Sequence, residues 1–202
     1  MRIGFFGCGF LASWIVHPVV KMFNPSFILL VDMERFEDEN IDNTLFLKSH
    51  VGLFKTHALK MLLIQTTRIP PQSITVFNKK VDEKLFFKLY RDFRLNVAVV
   101  TFDDPELRNK IARESVSTGV NTLFVGVTNN LDCAVIWSEH WNRCAMPALS
   151  RTEAENIRVC ERRDMVAPAF LASYLVVEAL KNFLEGRKIS YLSSGLEVFS
   201  IV

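Results

Sequence analysis

The sequence predicts an α/β protein with a doubly wound, mostly parallel sheet covered by helices on both faces. Strand-like and helix-like runs alternate along most of the 202 residues. The strand-like runs are continuously apolar, which is typical of parallel strands buried on both sides. Half of the residues are hydrophobic and 23% are charged. This composition supports a core of ordinary size, so we expect one domain over residues 1–202.

Runs of β-branched and aromatic residues mark the strands, and turn residues mark the helix ends. The residue before Pro25 disfavours the helical conformation, so the first helix ends before Asn24. Asp82 is the expected N-cap of the third helix, and Gly119 and Gly186 follow the fourth and fifth. The predicted strands are Arg2–Phe6, Phe27–Asp32, Ser73–Phe77, Asn96–Thr101, Asn121–Val127, Cys133–Trp137 and Leu196–Val202. The predicted helices are Leu11–Met22, Leu53–Gln65, Asp82–Phe93, Glu106–Ser117 and Met165–Leu184.

Two segments have no clear periodicity. The acidic stretch Glu34–Asn43 is predicted to be irregular. The acidic run Glu34–Glu39 within it could bind a metal, although a solvated loop face is the simpler interpretation. Residues 140–164 are polar and are predicted to form a loop that crosses the molecule. Residues 165–202 would then supply a C-terminal helix and a closing strand, which completes the predicted domain.

Charge, cysteine content and hydropathy exclude several classes of protein. The chain has 24 Lys and Arg against 22 Asp and Glu, a net charge of +2, so a general nucleic-acid binder is not expected. The four cysteines form no CxxC pair, which favours a reducing compartment. Glycines interrupt the apolar start, and the apolar run of Met165–Leu184 is too short to span a bilayer. We therefore expect a cytoplasmic protein without a membrane partner.

The turn after the first strand carries the first functional signal. Residues 7–12 read Gly-Cys-Gly-Phe-Leu-Ala, so Gly7 and Gly9 stand between a strand and a helix. Glycines allow backbone N–H groups to approach a phosphate at the positive end of that helix. Asp32 ends the second strand, where a carboxylate can accept hydrogen bonds from ribose hydroxyls. These residues predict a nucleotide site, and they fit a dinucleotide oxidoreductase and an adenylating enzyme equally well.

Motifs further along the sequence distinguish these two interpretations. The run from Asp32 to Asn43, followed by Val51-Gly52-Leu53-Phe54-Lys55, resembles a segment of the ThiF/MoeB/HesA family, which shares its fold with ubiquitin-activating enzymes. The runs Thr101–Asn109 and Cys160–Pro168, the latter leading into a helix with Glu178-Ala179-Leu180-Lys181, resemble further family segments in the same order. The likeness covers essentially the whole chain and implies a Rossmann-like fold of the ThiF type.

The resemblance implies ATP- and Mg²⁺-dependent adenylylation of the C-terminal carboxylate of a ubiquitin-like or sulfur-carrier protein, in a homodimer. By position, Gly7 and Gly9 would hold phosphate, Asp32 the ribose, and Asn40 would line the phosphate site with Asn43 nearby. Lys55 would neutralise charge on the phosphates, and Asp103 would help to bind Mg²⁺. Lysine and Mg²⁺ are groups that a phosphoryl transition state requires. Cys160 would be a persulfide- or acyl-forming cysteine, or else a free thiol in a basic loop.

The sequence departs from the family pattern at three points. Asn43 stands where the family has a phosphate-binding arginine, and the family's segment before the first strand, which supplies another arginine, has no counterpart here. Trp141 replaces a cysteine of the first zinc knuckle and Cys144 has no CxxC partner, so we expect no zinc. Two alternatives therefore stay open. One is a ThiF-like partner-binding module that has lost turnover, and the other is an NAD-binding oxidoreductase.

Overall fold

The computed structural model describes residues 1–128, 130–144, 163–194 and 197–202. Most strands and helices lie close to their predicted bounds. The strands are β1 (Arg2–Phe6), β2 (Phe27–Val31), β3 (Ile74–Phe77), β4 (Val97–Val100), β5 (Thr122–Val127), β6 (Cys133–Trp137), β7 (Ser190–Ser194) and β8 (Glu197–Ile201). The helices are α1 (Phe10–Phe23), α2 (Lys55–Thr66), α3 (Glu83–Asp92), α4 (Pro105–Thr118) and α5 (Val166–Leu184).

The eight strands of the described chain form one sheet in the order β3-β2-β1-β4-β5-β6-β7-β8. The pairs from β3 to β5 are parallel, and the pairs from β5 to β8 are antiparallel. At the centre, Phe6 at the end of β1 pairs with Val31 of β2 on one side and with Val100 of β4 on the other. The chain order reverses at β1, which opens a crevice at the carboxyl ends of the strands.

The two faces of the sheet bury separate apolar clusters, as a doubly wound fold requires. Phe5 and Phe6 are adjacent in β1 and both are fully buried, but successive strand residues point to opposite faces. Phe5 packs in the cluster that includes α1, α2 and α5, and Phe6 packs in the cluster that includes α3 and α4. The predicted α/β class with helices on both faces is confirmed.

Strand β7 is not predicted by the sequence patterns. Its residues, Ser-Tyr-Leu-Ser-Ser, lack the apolar run that marks the other strands. Two of its serines are buried and satisfy neighbouring backbone groups. Ser190 Oγ accepts a hydrogen bond from Trp137 N at 2.9 Å, and Ser193 Oγ accepts one from Cys133 N at 2.8 Å. The strand is therefore stabilised by side-chain hydrogen bonds to β6, which hydropathy does not reveal.

The two segments without clear periodicity contain short 3-10 helices in the parts that the structure describes. The acidic stretch contains a 3-10 helix, Asp38–Asn43, where an irregular chain was expected. Short 3-10 helices, Ser138–His140 and Arg163–Met165, flank the predicted crossing loop. Residues 145–162, which include Cys160, lie outside the described residues. The predicted loop therefore stays a prediction over most of residues 140–164.

Helix α5 is long and apolar enough to cross a membrane by length and composition alone, so the prediction that this run is too short to do so was wrong. A helix buried in a protein core meets the same criterion. Among the described residues, α5 packs on α1 and on β6, and its Ser173 Oγ donates a hydrogen bond to Trp14 O at 2.9 Å. Fully buried residues such as Ala172, Val176 and Leu180 face the cluster around α1. In this fold, α5 occupies the position of a core helix.

Candidate functional site

The predicted site residues meet at the carboxyl ends of the parallel strands. Gly7 directly follows β1, Asp32 follows β2, and Asp103 lies three residues after the end of β4. Lys55 begins α2, which follows the loop after β2. Because β1 lies between β2 and β4, the topology brings these positions to the crevice beside β1.

Gly7 adopts a conformation and a contact that only glycine permits. Its φ is +96°, and a Cβ at this position would lie 2.6 Å from Thr101 Oγ1 and 2.8 Å from Phe102 N. Thr101 is buried, and its hydroxyl donates a hydrogen bond to Gly7 O at 3.0 Å. The turn after β1 is thus packed directly against the chain after β4, and any side chain at Gly7 would separate the two.

Gly9 lies close to Lys55, the predicted phosphate ligand at the start of α2. It is the N-cap of the 14-residue helix α1 and makes no side-chain capping bond. A Cβ at Gly9 would lie 3.9 Å from Lys55 Nζ. Backbone N–H groups at a helix N-terminus attract anions, and a nearby ammonium adds to this attraction. Gly9 and Lys55 therefore lie next to each other, so a phosphate bound at the start of α1 would contact both.

Asp32 is held rigidly by the turn that it supports. Its Oδ2 accepts a hydrogen bond from Cys8 N at 2.7 Å, and its Oδ1 accepts one from Glu34 N at 2.8 Å. Burial raises the pKa of Asp32, while these two hydrogen bonds and the charge of Lys55 act in the opposite direction. Each carboxylate oxygen can accept a further hydrogen bond. Asp32 can therefore bind a ribose hydroxyl while it holds the turn in place.

Lys55 lies at a position that is electrostatically unfavourable without a counter-charge. It is the first residue of α2, where the helix dipole repels a cation, and the first turn of α2 contains no acid. Its Nζ forms an ion pair with Glu34 Oε2 at 2.5 Å, and its side chain is 16% exposed. A partly buried ammonium beside Gly9 is well placed to meet negative phosphate oxygens.

The two adjacent acids after β4 have different roles. Asp104 is the N-cap of α4, and its Oδ1 accepts a hydrogen bond from Leu107 N at 2.9 Å. Asp103 is exposed at the crevice, and the protein around it raises its pKa by desolvation. The charge of Arg108 lowers that pKa, and the charge of Glu34 raises it. Asp103 therefore has the exposure and position of a ligand for a nucleotide-bound Mg²⁺, which needs only one or two protein carboxylates.

A small hollow with a cavity volume of about 20 Å³ lies beside the glycine turn. Small-molecule sites usually measure about 300–1,000 Å³, and a cavity of about 20 Å³ holds roughly one water molecule, so the side chains around this hollow would have to move to admit a nucleotide. Phe10 lies on its wall. The described residues that line it are Gly9, Phe10, Phe36, Asn40, Thr44, Phe46 and Lys55.

Asn43, which stands at the family's arginine position, is 1% exposed. Its backbone O accepts a hydrogen bond from Trp14 Nε1 at 2.8 Å. This bond ties the 3-10 helix Asp38–Asn43 to α1 beside the hollow. Asn43 therefore positions the loop that carries Asn40, and it supplies no cation in place of the arginine.

The cysteines differ in their surroundings. Cys8 is fully buried, and burial raises the pKa of its thiol well above the ordinary value, so it is a packed thiol as expected. Burial also raises the pKa of Cys133. Within the described ranges, no group of three His, Cys, Asp or Glu side chains could hold a metal ion. The role of Cys160 stays a prediction, because this residue lies outside those ranges.

Two residues of this site, Glu34 and Arg108, are not among the predicted nucleotide-binding residues, and Glu34 is predicted only as part of the acidic run that could bind a metal. Glu34 follows Asp32 by two residues, a spacing that places side chains on the same side of an extended chain. Arg108 shares the buried face of α4 with Ile111, Ala112 and Ser115. An arginine among the apolar positions of a buried helix face indicates a special environment. Here Arg108 Cζ lies 5.7 Å from the centroid of the Phe124 ring.

No family model matches the chain, and no curated protein matches its sequence. Solved structures do match in fold. Escherichia coli MccB with ATP is 16% identical with a TM-score of 0.75, and the match covers 99% of this chain and 63% of that one. The microcin C7 biosynthetic enzyme MccB with N-formylated MccA is 16% identical with a TM-score of 0.72, and the match covers 99% and 64%. PaaA is 14% identical with a TM-score of 0.68, and the match covers 99% and 62%.

These matches compare folds, since the identities are low. The chain spans about three fifths of the length of the MccB chains that it matches. The match to MccB with ATP covers 99% of this chain with a TM-score of 0.75. The chain therefore has the fold of MccB and PaaA, a divergent form of the ThiF-like α/β fold that its sequence predicts.

Proposed function

We propose that this protein binds ATP at the glycine turn and adenylylates the C-terminal carboxylate of a peptide or small carrier protein. The observation that carries the proposal is the placement of Lys55 Nζ beside Gly9, 3.9 Å from where a Cβ would lie. The ammonium of Lys55 is partly buried and lies beside a helix N-terminus whose N-cap, Gly9, has no side chain. This arrangement is suited to bind a triphosphate.

The chemistry requires charge to be neutralised in a fixed place. The carboxylate of the acceptor attacks the α-phosphorus of ATP, forms an acyl–phosphate bond and releases pyrophosphate. Negative charge then grows on the phosphate oxygens, where Lys55 and the N–H groups of α1 can stabilise it. Asp32 would orient the ribose, and Asn40 would line the phosphate end. Mg²⁺, if held by Asp103, would supply further positive charge on the phosphate oxygens.

The substrate class is supported by the fold comparison. MccB has been crystallised with ATP and with the peptide MccA. A peptide with a free C-terminus is therefore the first substrate to test. The narrower prediction of a ubiquitin-like or sulfur-carrier protein belongs to the same chemical class, since each presents a C-terminal carboxylate. A homodimer and a cytoplasmic location are parts of the same proposal.

ATP–pyrophosphate exchange tests the proposal directly. The assay would use a library of short peptides with free C-termini, with the same library amidated at the C-terminus as the matched control. We expect exchange only with free carboxylates. Lys55→Ala should lower the exchange rate at least about 100-fold, the scale for one transition-state donor. Lys110→Ala is the control, because Lys110 forms an exposed ion pair with Glu106 on α4, away from the turn.

A partner-binding protein without turnover is the second candidate. The burial of Asn43 favours it, because the arginine charge of the family is not replaced at that position. This alternative predicts no exchange with either library, together with Lys55→Ala binding its partner as well as the wild type does. An oxidoreductase instead predicts that NAD binds more tightly than ATP in a calorimetric titration.

A further inference from the structure

Glu34 is joined to Lys55 through both its side chain and its backbone. Its Oε2 lies 2.5 Å from Lys55 Nζ, and its backbone O accepts a hydrogen bond from Lys55 N at 2.9 Å. The neighbouring residues Arg35 and Phe54 form an antiparallel bridge. The bridge fixes the two chain segments side by side, so the ion pair is built into the backbone arrangement of the site.

Two nearby positive charges attract the carboxylate of Glu34. One is the ammonium of Lys55, and the other is the positive end of the α2 dipole, where Lys55 is the first residue. Other charges oppose it, since Asp32 and Asp103 are close enough for Glu34 to affect both carboxyl groups. Three acids thus surround the one lysine that faces Gly9 among the described residues.

We infer that Glu34 is the resting counter-ion of Lys55, a positioning residue that holds the ammonium opposite Gly9 and yields it to phosphate when a nucleotide binds. The inference rests on the proposed function, because it concerns the same phosphate site. Phosphate oxygens and the carboxylate of Glu34 compete for the same N–H donors of Lys55. The side chain of Glu34 is 58% exposed, so it can turn into solvent when it is displaced.

The inference predicts that loss of Glu34 strengthens phosphate binding. Exposed ion pairs contribute little, so Glu34→Gln should bind inorganic tripolyphosphate only about two- to fivefold more tightly than the wild type. A structural role of Glu34 would give the opposite sign, because a loosened loop binds less well. The gain should shrink as salt is raised, since exposed charges are screened.

The test is a calorimetric titration of the full chain with tripolyphosphate at low and high salt. Glu37→Gln is the matched control, because it removes the same charge from an exposed residue three positions away. We expect Glu34→Gln to gain affinity, Glu37→Gln to match the wild type, and Lys55→Ala to lose most binding in either background. Thermal unfolding of each variant confirms that it is folded.

Each other outcome overturns the inference. If the wild type binds and Glu34→Gln binds equally or less tightly, only the role of Glu34 fails and the proposed function stands. An equal gain in Glu37→Gln would show a general charge effect instead of a counter-ion. If neither the wild type nor Glu34→Gln binds tripolyphosphate, the phosphate site and the role of Glu34 both fail.

Discussion

The parallel and antiparallel parts of the sheet do different work. Every described residue with a proposed role lies at the carboxyl ends of β1, β2 and β4 or in the loop and helix that follow β2. The strands β6 and β7, together with α5, supply burial instead, with Trp137 fully buried and Phe183 against its ring. The comparison teaches that this fold separates its chemistry from a large part of its stabilising core.

The two parts also differ in local strain and charge. The site combines a glycine with a φ of +96°, a lysine at a helix N-terminus and three neighbouring acids. In the antiparallel part, some buried polar groups are satisfied by one another, as Ser193 and Cys133 are, although Trp137 Nε1 has no hydrogen-bond partner among the described residues. Unusual backbone conformations and neighbouring like charges lower the stability of a protein. They persist at a site where a bound ligand can offset this loss, and the surrounding core supplies the remaining stability.

Trp137→Ala should produce the largest effect and should separate the two parts most clearly. Removal of a fully buried tryptophan costs about 3–5 kcal/mol of unfolding free energy. The affinity of the folded protein for ATP should stay unchanged, because Trp137 lies in β6. Urea unfolding and a nucleotide titration measure the two quantities. Trp137→Phe is the control and should cost less than about 1.5 kcal/mol, because Trp137 Nε1 has no hydrogen-bond partner among the described residues.

Gly7→Ala should affect stability and binding together. The added Cβ would lie 2.8 Å from the backbone N of Phe102 in a conformation with positive φ, so we expect a loss of about 2–4 kcal/mol. The matched control is Gly52→Ala, where φ is +86° but no atom lies within 4 Å of the added Cβ. That variant should lose only about 1–2 kcal/mol. Equal losses in urea unfolding would contradict the close approach of the two loops.

Acidic pH should have the smallest effect and should act on both parts. Burial lowers the pKa of His50 beside the site and of His140 next to β6, from an ordinary value of 6.5. The unfolded chain therefore takes up protons below about pH 6.5 that the folded chain does not, so stability is greatest above that pH and falls below it. The raised pKa values of Asp32 and Asp103 act in the opposite direction.

Single variants isolate the two histidine contributions. His50→Gln and His140→Gln should each lose less stability than the wild type between pH 7.5 and 5.5, as measured by urea midpoints. His17, whose pKa is also lowered by burial, remains in both variants and serves as an internal reference. A wild-type midpoint that rises as the pH falls would contradict the assigned direction.

The sequence predicted every described strand except β7, which lies in the antiparallel part of the sheet. Apolar runs such as Phe27–Val31 and Val97–Val100 are recognisable because burial on both faces requires such residues. Strand β7 is held by Ser190 and Ser193 through hydrogen bonds to β6, and composition gives no sign of such pairing.

The same division holds within the candidate site. Gly7, Asp32 and Asp103 follow predicted strands, so topology alone brings them together. The pairing of Glu34 with Lys55 depends on a bridge between Arg35 in the loop after β2 and Phe54 just before α2, and no sequence pattern links these two positions. A sequence reading can therefore name the strand-end residues of this site, but the contacts between its loops require the structure.

Hydrogen–deuterium exchange with and without Mg²⁺ and ATP tests the central claim most directly, because it reports on both parts of the sheet in one measurement. The glycine turn and the start of α1, residues 7–13, should exchange more slowly with the nucleotide, and so should the start of α2 at Lys55. The strands β6 and β7 should not change. Unchanged exchange over residues 7–13 at saturating ATP, or protection confined to β6 and β7, would contradict the assignment of the nucleotide to this turn.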